Sequence, residues 1–144
     1  MPGKEYIWFF AEDTKYRHSG KRVTRNWIDQ IIEKEGFKKD AINIIFCSDD
    51  YLQKINLKYL KTNSLTDIVT FDMSEDKEKI SGEIYISIER AEENAAKFRI
   101  SVTEEIRRLI AHGILHLAGY GDKTMEEKKV MKHKEDYYLS LPAN

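Results

Sequence analysis

Hydrophobic positions along this chain fall into short blocks separated by polar runs, and the spacing inside each block predicts its conformation. Tyr6 to Ala11 is aromatic and apolar, ends at Glu12-Asp13, and reads as a first strand. Thr14 to Gly20 is a polar loop. Thr24 is placed to cap a helix whose apolar positions, Trp27, Ile28, Ile31 and Ile32, follow the helical period, with Gly36 closing it. Ile42, Ile44, Ile45, Phe46 and Cys47 read as a second strand buried on both faces. Ser48 caps a second helix, Asp49 to Tyr59, whose two leading acids favour the helix dipole and whose stripe is Leu52, Ile55 and Tyr59. A polar connection, Lys61 to Thr66, leads to an alternating third strand, Asp67 to Asp72. After a charged loop, a fourth strand starts at Ile80 with Ile84, Ile86 and Ile88 on one face and Glu83, Tyr85 and Ser87 on the other.

The pattern then turns helical to the end. Glu89 to Phe98 directs Ala91, Ala95 and Phe98 inward. Ser101-x-x-Glu104 is a capping box that opens the next helix, with Ile106, Leu109, Ile110, Ile114 and Leu117 as its apolar arc. Thr124-x-x-Glu127 is a second box, opening a helix to about Leu139 whose face carries Met125, Val130 or Met131, and Tyr138. The order β-α-β-α-β-β-α-α-α predicts an α+β fold: one mixed sheet of about four strands packed with about five helices. The early βαβ units favour parallel pairing, and the short loop between the last two strands favours an antiparallel hairpin.

One stretch carries chemistry: His112-Gly-Ile-Leu-His116-Leu-Ala-Gly119-Tyr-Gly-Asp122. Two histidines four apart on a helix lie about 40° from each other around the axis, so both imidazoles reach one metal. Gly119 takes the left-handed conformation that ends a helix and lets Asp122 swing back. Two imidazoles and one carboxylate suit zinc and leave a position open for water. The spacing matches the metzincin protease frame with two changes: Gly113 replaces the general-base Glu, and Asp122 replaces the third His. A glycine within a helix costs about 1 kcal/mol against alanine, so a neighbour is expected close to the backbone at Gly113. The other histidine near the C-terminus, His133, lies among lysines with no partner motif and reads as structural.

Composition narrows the picture. The 144 residues suit a single domain (1–144), and 34% charged with 41% hydrophobic residues is ordinary for a globular protein. The lone Cys47 rules out an internal disulfide framework and fits a reducing compartment. No run approaches a membrane span, and Tyr6 to Phe10 is too short for a signal-peptide core, so a cytoplasmic protein without membrane contact is expected. A net charge of −1 gives no global pull toward nucleic acid, so any RNA contact must come from a local basic patch. Lys128, Lys129, Lys132 and Lys134 read as a solvated helix face rather than as that patch.

Three segments together resemble the YbeY endoribonuclease family, the bacterial rRNA maturation factors with a zincin-like site. His112-Gly-Ile-Leu-His116-Leu-Ala-Gly119-Tyr120 is similar to its metal motif. Asn56-Leu-Lys-Tyr59 with Leu65-Thr-Asp-Ile-Val-Thr-Phe71 is similar to its Tyr-loop-Thr-Asp-Val-Leu-Ser-Phe segment, and Gly82-Glu-Ile-Tyr-Ile-Ser87 to its Gly-Asp-Ile-x-Ile-Ser strand. The resemblance implies a zincin-like metal helix with one Zn2+ per chain on His112, His116 and Asp122. It implies a zinc-dependent, single-strand-specific endoribonuclease acting in rRNA maturation (16S 3′-end processing) and ribosome quality control. The partners implied are single-stranded RNA or rRNA and the small ribosomal subunit, with the protein a monomer. Two departures stand out: Asp122 where the family has a third His, and Leu60 where it has an Arg directly after the Tyr. Lys61 is a point-charge substitute for that Arg. Arg108, one turn before His112, is a candidate phosphate contact, or else a salt-bridge partner of Glu104 or Glu105. Asp67 is a candidate partner for a ligand imidazole, or else a strand-start cap. The alternative function is a ribosome-assembly factor with a structural metal, which Leu60 favours. A metallopeptidase is disfavoured by Gly113.

Overall fold

The computed structural model describes residues 6–60 and 66–142. Its strands are β1 (Ile7–Glu12), β2 (Lys38–Cys47), β3 (Ile68–Asp72) and β4 (Lys79–Ser87). Its helices are α1 (Lys21–Lys34), α2 (Asp49–Ile55), α3 (Ile88–Phe98), α4 (Val102–Leu117) and α5 (Met125–Ser140). The sheet order is β1-β2-β4-β3. β1, β2 and β4 run parallel and β3 pairs antiparallel with β4, as the connection lengths predict. The insertion of β4 between β2 and β3 puts the short β3 on an edge, beside α4.

The main core fills the space between the sheet and α1 and α4. Trp27, Ile28 and Ile31 of α1 and Ile110 and Ile114 of α4 meet Ile44, Ile84 and Ile86, all essentially inaccessible. Each such side chain contributes about 1.5–3 kcal/mol of burial. A smaller cluster of Cys47, Leu52 and Val69, with Tyr51, Phe71 and Tyr85 packed on it, forms around α2.

Several local expectations are corrected. α1 starts at Lys21, after Gly20 in the left-handed region (φ 71°), because the Thr24 amide already donates to the Gly20 carbonyl. Thr24 is therefore inside the helix, its buried hydroxyl bonded to His18 Nε2 at 2.7 Å. The helix expected through Tyr59 ends as α2 at Ile55 and widens into a π-helical turn, Asn56–Leu60. Phe98 is exposed rather than inward: it lies on the last turn of α3 and lines an open groove with Ile100 and Arg108. Met125 is also exposed, in the first turn of α5, and the buried stripe of that helix is Met131, Glu135 and Tyr138. The capping box at Thr124 forms in both directions, and Ser101 Oγ accepts from the Glu104 amide at 3.0 Å.

Candidate metal centre

α4 packs across β3 and β4, and Gly113 sets how closely. A Cβ at Gly113 would lie 2.9 Å from both Cδ1 and Cγ2 of the fully buried Ile84. The neighbour expected at that glycine is thus the strand beneath it. This packing leaves His112 and His116 on the rim of the helix, with ring centroids 4.5 Å apart.

The helix then ends as its sequence dictates. Gly119 (φ 104°) follows Ala118; its amide donates to the His116 carbonyl and the Tyr120 amide to the Leu115 carbonyl. That pair of bonds is a Schellman closure. It returns the chain so that Asp122 Oδ2 lies 3.2 Å from His112 Nε2 and 3.3 Å from His116 Nε2. One ligand atom from each of the three residues fits within 4.8 Å of the others.

The second nitrogen of each ring fixes what the first can do. His116 Nδ1 is 2.8 Å from the Tyr120 carbonyl oxygen, which can only accept, so Nδ1 carries the proton. His112 Nδ1 is 2.7 Å from Glu135 Oε2, a carboxylate, with the same consequence. In the neutral rings both Nε2 atoms then present lone pairs toward Asp122. Three electron-pair donors converging on one point are complementary to a cation, and the backing of histidine by carboxylate and carbonyl is the usual support for a metal ligand.

Glu135, almost fully buried on α5, also accepts from Arg108 Nη1 at 3.0 Å. Arg108 Nη2 bonds Asp136 at 2.8 Å, so both its nitrogen arms are turned to α5 rather than to Glu104 or Glu105. Burial alone pushes the His112 pKa down; the Glu135 hydrogen bond and charge, with Asp122 and Asp67, outweigh it and leave it raised. Tyr120 is itself anchored: its hydroxyl donates to Glu35 Oε1 at 2.7 Å, and Glu35 also accepts from Lys134 at 3.2 Å and from the Tyr138 hydroxyl.

A cleft of about 430 Å³ opens over His112, His116 and Asp122, walled by Thr66, Asp67, Ile68, Thr70, Asn56 and Leu60. Leu60 therefore lines the site. Lys61 lies outside the described residues. Among the described residues Asp67 makes no hydrogen bond to an imidazole; it accepts from Asn94 Nδ2 at 3.0 Å, and Asn94 also donates to the buried Glu105. Glu135, Glu35 and the Tyr120 carbonyl are absent from the reading of the sequence. Only Glu135 left a trace there, as an acid at an inward position between Met131 and Tyr138.

Fold and site define a class: an α+β protein that carries an open His-His-Asp centre on one long helix and its closing turn, beneath a mixed sheet. Comparison with known proteins is more specific. The family model for endoribonuclease YbeY matches residues 9–141. A Cytophaga hutchinsonii protein named endoribonuclease YbeY is 47% identical over 138 residues, 96% of each chain. Its namesake from Amoebophilus asiaticus is 42% identical over 139 residues, covering 96% of this chain and 94% of its own. The solution structure of TM1509 from Thermotoga maritima superposes with a TM-score of 0.64 at 28% identity, covering 92% of this chain and 86% of that one. The chain belongs to the endoribonuclease YbeY family. Among the described residues no helix is long and apolar enough to cross a membrane.

Proposed function

We propose that the protein is a zinc-dependent endoribonuclease that cuts single-stranded RNA, with His112, His116 and Asp122 holding one zinc ion. The observation that carries this reading is the convergence of two Nε2 lone pairs and a carboxylate oxygen at 3.2–3.3 Å, in a chain whose relatives are named endoribonucleases. When bound, zinc supplies a Lewis acid that polarises a phosphoryl oxygen and acidifies water. The chain's own part is positional. Glu135 and the Tyr120 carbonyl lock both rings, while the cleft between α4 and β3 admits a strand and presents Thr66 and Thr70 to it. The biological setting proposed is rRNA maturation, including the 16S 3′ end, and ribosome quality control. There the cytoplasmic monomer meets rRNA and the small subunit.

A second reading, a ribosome-assembly factor with a structural metal, is favoured by Leu60, since an apolar side chain in the cleft wall holds no phosphate. Peptidase chemistry is opposed by packing, because any side chain at Gly113 meets Ile84 and a base cannot stand there. Metal removal separates the first two. Zinc-loaded protein should cut a single-stranded oligonucleotide and spare its duplex, lose activity in chelator with its circular dichroism unchanged, and regain it on reloading. Unfolding on chelation, with no cleavage when loaded, would establish the assembly-factor reading.

A further inference from the structure

The proposed substrate is a polyanion, yet among the described residues no lysine or arginine lines the metal cleft, whose acidic walls are Asp67 and Asp122. Arg108 is held by Glu135 and Asp136. Among the described residues, side-chain cations for the RNA backbone therefore lie outside that cleft. A cavity of about 800 Å³ lies on the opposite edge of the sheet, beside β1. Lys15, Arg17 and Lys21 line it, and no acid does. All three are exposed and make no ion pair or side-chain hydrogen bond among the described residues, whereas Lys39, Arg90, Arg108 and Lys134 are all paired. Rings form the rest of the wall: Phe46 and Tyr16 pack edge to face at 4.9 Å, and Phe10 is 47% exposed. Unpaired cations beside one exposed and several part-exposed rings form the pattern that holds single strands by phosphate contact and base stacking.

We infer that this cavity is a second RNA site, which grips the backbone of the same single strand whose scissile bond lies in the metal cleft; the inference rests on the RNA reading above. The strand register sets the distance between the two. Ala11, Phe46, Ile86 and Ile68 form one row across the sheet, from the cavity to the cleft wall. Three inter-strand steps span about 14 Å. The N-terminus of α1 adds to the positive field, since Gly20 gives no side-chain cap and the first turn holds no acid.

The test uses the full chain carrying Lys15→Gln, Arg17→Gln and Lys21→Gln, all surface positions, with folding checked by circular dichroism. Binding of fluorescent single-stranded RNA is measured in chelator, so that affinity is read without cleavage. For RNA of about 20 nucleotides the Kd should rise about tenfold, and the slope of log K against log salt should flatten by about 2. Cleavage of a dinucleotide, too short to span about 14 Å, by the zinc-loaded variant should match the wild type. Unchanged affinity and slope for the long RNA overturn the inference, as does a variant that instead loses binding of poly-glutamate while keeping RNA, which assigns the cavity to an acidic protein. Wild type that binds long RNA through these residues yet never cleaves it refutes the nuclease proposal and leaves the cavity as an RNA site.

Discussion

Glu135→Gln tests the support of the metal centre most sharply. The carboxylate accepts two hydrogen bonds, from His112 Nδ1 at 2.7 Å and from Arg108 Nη1 at 3.0 Å, while almost fully buried. Glutamine keeps the shape but has one acceptor oxygen, so its NH2 must face one of those two donors. Arg108 retains Asp136, so the amide oxygen is needed most by whichever donor is more buried, and one charge-assisted bond is lost either way. Loss of such a bond costs about 1.5–3 kcal/mol of stability, and loss of a carboxylate behind a metal-bound imidazole costs about 10- to 100-fold in metal affinity. Competition with a chromophoric chelator reads the affinity, and urea unfolding of metal-free protein reads the stability. The pH dependence has a definite sign. His112 has a raised pKa in the wild type, so its protonated form stabilises the metal-free fold. That contribution is complete below the ordinary histidine value of 6.5 and is lost as pH rises through the raised one. Protons therefore compete harder with zinc in the wild type, and the affinity gap to the glutamine variant widens as pH rises. Equal zinc affinities at about pH 8 would refute the reasoning.

Glu35→Gln should change the acid limb of stability. Burial raises the Glu35 carboxyl, but hydrogen bonds from Tyr120, Tyr138 and Lys134 outweigh it and hold it below its ordinary 4.5. Its contribution is present above 4.5 and lost as pH falls through the depressed value, so urea midpoints of wild type and variant should converge there, and a constant gap contradicts the assignment. Gly113→Ala gains up to about 1 kcal/mol of helix propensity but forces a contact costing about 1–3 kcal/mol. The variant should melt lower, and Ile84→Val in the same chain should recover part of the loss; a higher melting temperature for the single variant speaks against close packing. Cys47 is buried, with its thiol pushed up to about 12 by burial and by Asp49, Asp13 and Glu12. A disulfide reagent at neutral pH should label it only after denaturation, and labelling of native protein within minutes contradicts its placement.

What the sequence made legible was local. His112, His116, Gly119 and Asp122 lie within one helix and its closing turn, so their meeting follows from helix geometry and a Schellman end, without knowledge of the rest of the fold. Gly113 announced close packing because an unexplained helical glycine has few other uses. The residues that lock the rings came from afar: Glu135 is 23 positions from His112, and Glu35 is 85 from Tyr120. No periodicity encodes such meetings. Thr24 was misplaced as a cap because its side chain favours caps, whereas Gly20 starts the helix by backbone conformation alone. Phe98 and Met125 kept helical spacing but sit in terminal turns, where the core has run out. The sheet order followed connection lengths only as far as pair direction, since nothing local specifies that β4 enters between β2 and β3.

The most direct test of the central claim is cleavage of a single-stranded RNA oligonucleotide by zinc-loaded wild type beside a His112→Ala/His116→Ala double variant purified identically, which controls for contaminating nuclease. The account predicts that only the wild type cuts. Equal cleavage by both proteins, with the wild type carrying one zinc per chain, would contradict it.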